Sequence, residues 1–84
     1  MTKIKVIAND EEKLTLKQMQ KFVGGYIEVV YLNEDQVMVI DDDGKGKGKP
    51  VNPEATIRAT RNKAIFNNDW IAGDVIIMPK KFIV

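Results

Sequence analysis

Two apolar runs separated by three turn-forming residues constrain this chain more than any other feature. Residues 26–32 (YIEVVYL) and 36–40 (QVMVI) are rich in aromatic and β-branched side chains, which suit a pleated strand. Asn33-Glu34-Asp35 between them is turn chemistry, so the segment 26–40 is predicted as a central β-hairpin. Only Glu28 interrupts the apolar character of the first run. Apolar side chains therefore point to both sides of the strands, and a sheet at least partly covered on both faces is expected.

The covering elements are signalled on either side. Residues 3–8 alternate lysine with apolar residues (Lys3, Ile4, Lys5, Val6), the period of a half-buried strand, until the polar run 9–13 breaks it. Thr15 and Gln18 have the spacing of a capping box, and Leu14 and Met19 that of a hydrophobic staple. A short helix over 16–23 follows, with Leu16, Met19, Phe22 and Val23 as its core face and Gly24-Gly25 as its stop. A second start appears at Asn52 (N-cap), Pro53 (first helical position) and Glu54, predicting a helix from 53 to about 61–65. Its apolar stripe is thin: Ala55, Ile57, Ala59 and Ala64. After Asn67-Asn68-Asp69, Trp70 and Ile71 lead into a last strand over 74–78. Pro79 limits further pairing, leaving 80–84 as a tail or short edge segment.

The reading is one α+β domain over 1–84, a small single sheet with element order β-α-β-β-α-β and two short helices. That order is the one of ferredoxin-like split βαβ folds, with a small curled sheet as the alternative. At 84 residues stability is marginal, and self-association into a homo-oligomer is an expected remedy.

The chemistry that is missing narrows function. Without cysteine or histidine there is no disulfide, no common zinc set and no Ser-His or Cys-His nucleophile pair. Asp41, Asp42 and Asp43 adjoin a glycine-rich stretch and read as solvated turn residues, not as a catalytic pair. A calcium-loop alignment fails because Lys45 falls on a ligand position. The expectation is a non-enzymatic protein with neither metal nor cofactor. No secretory pattern opens the chain, and runs such as 37–40 and 75–78 are too short to span a bilayer, which points to a soluble, cytoplasmic protein.

Residues 41–49 (DDDGKGKGK) are low in complexity and read as a flexible loop outside the core. On that reading, replacing Lys45, Lys47 and Lys49 with serine leaves folding intact. The phosphate-loop consensus is not met, since Pro50 follows Lys49. Even so, Lys45, Lys47 and Lys49 precede a helix start at Asn52, and Arg58 and Arg61 lie on that helix. These six are the candidate binding residues for a phosphorylated small molecule or an acidic partner, because helix N-termini attract anions. The competing account is a solvated loop and a cap satisfied by Asn52 itself, the commoner outcome for such sequences. Charge is uneven: residues 1–43 hold five lysines against nine acids, and residues 44–84 eight Lys and Arg against three acids. Tyr26, Tyr31, Phe66 and Trp70 lie in or beside core elements and read as core or interface anchors, so nucleic-acid binding is not supported.

Three segments together carry a resemblance: VGGYIEVVYL (23–32), Asp43-Gly44-Lys45 leading to Pro50-Val51-Asn52-Pro53-Glu54-Ala55-Thr56, and IAGDVII (71–77). In this order the chain resembles a family of short proteins of unknown function found in phages, prophages and Gram-positive bacteria. The lysine-rich GKGKGK stretch departs from that pattern. The resemblance implies a phage or mobile-element setting and no activity. Its expected role is a binding protein that blocks a host protein, such as a defence component. The alternative is an oligomeric binder that sequesters a nucleotide-like signal.

Overall fold

Period-two alternation in the two central strands organises the molecule. The computed structural model describes residues 1–83. Its elements are β1 (Ile4–Val6), α1 (Leu16–Val23), β2 (Ile27–Tyr31), β3 (Gln36–Asp41), α2 (Pro53–Arg61) and β4 (Val75–Pro79), with single 3-10 turns at Asp10–Glu12 and Lys80–Ile83. One sheet has the order β1-β4-β3-β2. β1 runs parallel to β4, while β4–β3 and β3–β2 are antiparallel. The predicted element order is present, but the strand order is not ferredoxin-like, because the last strand of the chain inserts between β1 and β3.

Strands buried on both faces read as continuous apolar runs, and β4 does so. Ile76 and Met78 face a cluster with Val37, Val39, Ile7, and the α1 residues Met19 and Val23. Val75 and Ile77 face the opposite cluster with Met38, Leu32, Ile71, and the α2 residues Ala55 and Ala59. Each helix thus covers one face of the sheet. The small side chains Ala55 and Ala59 are fully buried on α2.

Local signals act as read. The Thr15 hydroxyl accepts the Gln18 N–H at 3.1 Å, and the Gln18 side chain accepts the Thr15 N–H at 2.8 Å. Gly24 ends α1 in the left-handed region at φ 89°, where a side chain is unfavourable. In the hairpin turn the Asn33 side-chain oxygen accepts the N–H groups of Asp35 and Gln36 at 2.8 and 2.9 Å.

Several expectations are corrected. Leu16 and Ile57 are 55% and 52% exposed rather than core residues. With helices of eight and nine residues, only the i,i+4 pairs Met19/Val23 and Ala55/Ala59 are buried. Pro79 lies inside β4, paired with Gln36 at the end of the ladder. Beyond it the chain makes a 3-10 turn instead of an edge strand, and Phe82 and Ile83 pack on the α1 side. Val84 lies outside the described residues. Most consequentially, Asp41 is the last residue of β3 and is buried, not a solvated turn residue.

α2 ends on a strained residue. Lys63 has φ 57°, and the Ala64 N–H donates to the Ala59 carbonyl at 2.8 Å, the six-to-one bond of a Schellman motif. Glycine is the usual occupant of that position. Lys63→Gly is expected to raise the unfolding free energy by about 1 kcal/mol, since relief of the left-handed strain exceeds the added chain entropy. Urea denaturation with an unchanged slope checks this.

Candidate functional site

The carboxylate that ends β3 governs the segment after it. Asp41 has no exposed side-chain surface, and a buried carboxylate needs compensation. Lys47 and Lys49 each bring an ammonium to 2.8 Å from its Oδ2, while the Asp43 N–H donates to Oδ1 at 2.9 Å. Burial alone would raise the Asp41 pKa. The two lysine hydrogen bonds and the Asp43 N–H outweigh burial and hold the carboxyl well below the usual range. Hydrogen bonding to Asp41 in turn pushes the Lys47 ammonium up.

The same ammonium groups close α1. Lys47 Nζ donates to the Gly24 carbonyl at 2.9 Å, and Lys49 Nζ donates to the Val23 carbonyl. The last carbonyls of a helix are unpaired and carry partial negative charge, so cations are favoured there. Room for them comes from the glycine pair. A Cβ on Gly24 would lie 2.5 Å from Lys49 Nζ, and one on Gly25 would overlap Lys47 Nζ. The VGGY and GKGKGK segments are therefore two halves of one packed cluster.

The six candidate binding residues do not converge. Lys47 and Lys49 turn inward to Asp41 and α1. Lys45 pairs with Asp69 and stands 4.3 Å from the centre of the Trp70 ring. Asn52 is buried and fully used: its Oδ1 accepts the Ala55 N–H at 3.2 Å, and its Nδ2 donates to the carbonyls of Gly73 and Lys3 at 2.9 and 3.2 Å. Arg58 pairs with Glu54 one helical turn earlier at 3.0 Å, on the outer face of α2. Arg61 is exposed at the end of α2.

What converges instead is a groove that sequence reasoning did not single out. It runs along β2 on the α2 side, between that strand and residues 63–72. Glu28, Val30, Ile65 and Asp69 line its middle. Asp42 and Asp43 stand at one end beside Trp70, and Phe66 and Lys63 stand at the other. Phe66 is 81% exposed and Trp70 43%, so neither is a core residue. Tyr26 and Tyr31 are also exposed, which overturns the core reading of these four aromatics and leaves the anchor reading. The signal available in sequence was the position of Phe66 and Trp70 around Asn67-Asn68-Asp69, a polar loop that does not bury its flanks. Among the described residues, Glu28, Asp42 and Asp43 have no ion-pair partner.

Comparison with protein families matches residues 2–81 to the domain of unknown function DUF3846. The chain belongs to the DUF3846 family. No curated protein matches it. No solved structure matches it either. The match covers β1 to β4, so the Asp41 cluster and the groove both lie inside the DUF3846 domain. Among the described residues of this DUF3846 chain, no helix is long and apolar enough to cross a membrane.

The cluster changes what the lysines are expected to do. A serine pair in place of Lys47 and Lys49 leaves a buried carboxylate without a cation and two helix carbonyls without donors. Lys47→Ser/Lys49→Ser is expected to lower the unfolding free energy by about 2–4 kcal/mol, measured by denaturant titration at pH 7. Lys45→Ser, on an exposed pair, is expected to change it by less than about 1 kcal/mol. The pH dependence has a definite sign. A carboxyl held below its unfolded value of about 3.9 contributes stability above that pH, and the contribution is lost as pH falls below it.

Proposed function

We propose that this DUF3846 domain is a non-enzymatic accessory protein of phage or mobile-element type that acts by binding a host protein, a defence component being the leading class. The observation that carries the binding role is the aromatic groove. Phe66 and Trp70 stand exposed on either side of a polar turn, over a floor of Val30 and Ile65. Aromatic side chains held in solvent beside a concave, partly apolar surface are the common anchors of protein interfaces.

Charge placement favours a binder over a catalyst. The carboxyl with the largest perturbation, Asp41, is used internally by two lysines and lacks access to a substrate. Asp69 is held below its ordinary value by the Lys45 ammonium and the Trp70 N–H, which orients the Trp70 backbone rather than activating a water. The mobile-element setting rests on the resemblance of the three segments 23–32, 43–56 and 71–77.

The test is capture of a partner by purified protein from lysate of a bacterial host. Phe66→Ser/Trp70→Ala is expected to keep its midpoint of thermal unfolding within a few degrees and to reduce recovery of a stoichiometric partner by about tenfold or more. Undiminished recovery by the folded variant would contradict the assigned surface. Absence of any stoichiometric partner across hosts would contradict the binding role.

A further inference from the structure

The two edges of the sheet differ in a way that points to how a partner is held. β1 is three residues long and carries Lys5, with Lys3 just before it; short length and lysine are devices that discourage pairing. β2 is five residues long, and Glu28 is its one charge. It contains no proline, and its pairing with β3 runs without a bulge from Ile27–Asp41 to Tyr31–Val37.

The register says which groups of β2 are left over. The Tyr26 carbonyl accepts the Asp42 N–H at 2.9 Å, and the Leu32 N–H donates to the Gln36 carbonyl at 3.1 Å. Antiparallel pairs alternate between bonded and non-bonded positions, so Glu28 and Val30 also bond inward to β3. The N–H and C=O groups of Ile27, Val29 and Tyr31 therefore point outward from the sheet. They form a three-residue template directly beside the aromatic groove.

We propose that an extended, basic segment of the partner protein adds to the β2 edge as a fifth strand, an inference that rests on the binding role proposed above. Strand addition supplies backbone bonds, and alternate side chains of the added strand supply selectivity. One set would lie over the groove side, with Glu28 and Val30, and the other over the side of Ile27 and Val29. The groove side carries Glu28, Asp42, Asp43 and Asp69, against Lys45, already paired with Asp69, Lys63, and Lys47, which is bonded to Asp41 and lies near Asp42 and Asp43. Lysine or arginine at every second position fits that charge, and apolar residues between them fit the other side. A polyanion does not. A second copy of this chain is disfavoured, because pairing β2 with itself about Val29 makes the two Glu28 carboxylates diagonal neighbours on one face.

The experiment uses the full chain and two seven-residue probes, one alternating valine with lysine and the other alternating valine with glutamate. Amide hydrogen exchange and NMR shifts are followed residue by residue. The lysine probe is expected to slow exchange of the Ile27, Val29 and Tyr31 N–H groups, with an affinity that falls as salt rises. Val29→Pro removes an outward donor without touching a bond to β3, and Glu28→Lys reverses the groove charge. Both are expected to lose the protection by tenfold or more. Equal protection by the glutamate probe, shifts that map away from β2, or no protection at millimolar lysine probe would each overturn the proposal. Protection that grows with protein concentration alone would overturn it in favour of a second copy. If a host protein captured by the wild type is held equally by folded Val29→Pro and Glu28→Lys variants, strand addition fails while the binding role stands.

Discussion

One buried carboxylate ties the two halves of this domain together. β3 carries Asp41 out of water at its final position, and a lone charge there would cost several kcal/mol. The chain neutralises it by folding residues 42–49 back, so that Lys47 and Lys49 reach both the carboxylate and the open end of α1. Glycine is favoured at Gly24 by its φ of 89° and at Gly25 because a side chain there would crowd the Asp41 carboxylate as well as Lys47 Nζ. The end of α1, the start of the hairpin and the loop after it are thus interdependent. Substituting any one of them exposes a mismatch in the other two.

The consequences extend to the groove. With 42–49 folded back, the Gly44 N–H reaches the Asp41 carbonyl at 3.2 Å, and a Cβ on Gly44 would lie 3.1 Å from the Ala72 carbonyl oxygen. Lys45 is left on the other side, over Trp70 and against Asp69. The rim of the groove therefore inherits its shape from the ion cluster on the opposite face of the sheet. The uneven charge of the chain takes on a meaning opposite to the first reading. Lys47 and Lys49 of the basic half are spent inward, while Glu28, Asp42 and Asp43 of the acidic half line the groove without an ion-pair partner among the described residues. An acidic, aromatic-rimmed surface suits a basic protein segment better than an anion.

Much of the fold was legible because its signals are local. The capping box at Thr15 and Gln18, the glycine stop, the Asn33 turn and the Asn52-Pro53 helix start each act over three or four residues. The nearly continuous apolar runs in β2 and β3 pointed to a sheet covered on both faces. Strand order was not legible, because nothing local distinguishes β4 beside β3 from β4 at an edge. Asp41 was misread for a related reason. Adjacent to Asp42, Asp43 and a run of glycine and lysine, it has the composition of a loop, and only the pairing with Ile27 makes it a strand residue. The partners that permit its burial are six and eight residues away, in a segment that looks solvated. Among the site candidates, Lys45, Lys47, Lys49 and Asn52 were read as residues for an external ligand, with a solvated loop and an Asn52 cap as the competing account; in the structure each makes polar contacts. Those contacts are internal to the molecule. Phe66 and Trp70 were read as core or interface anchors, and the core half of that reading fails because the short α2 does not cover the flanks of their polar turn.

The ionisation of Asp41 in the folded protein tests the central claim most directly. Its carboxyl carbon can be followed by NMR as pH is lowered through about 3.9, the ordinary midpoint for an aspartate. With Lys47 and Lys49 in place, the signal is expected to stay at its ionised position through that range and to move only with unfolding. A midpoint near 3.9 in the folded state would mean that Lys47 and Lys49 do not hold the carboxylate, and that the cluster is not what joins the loop to α1.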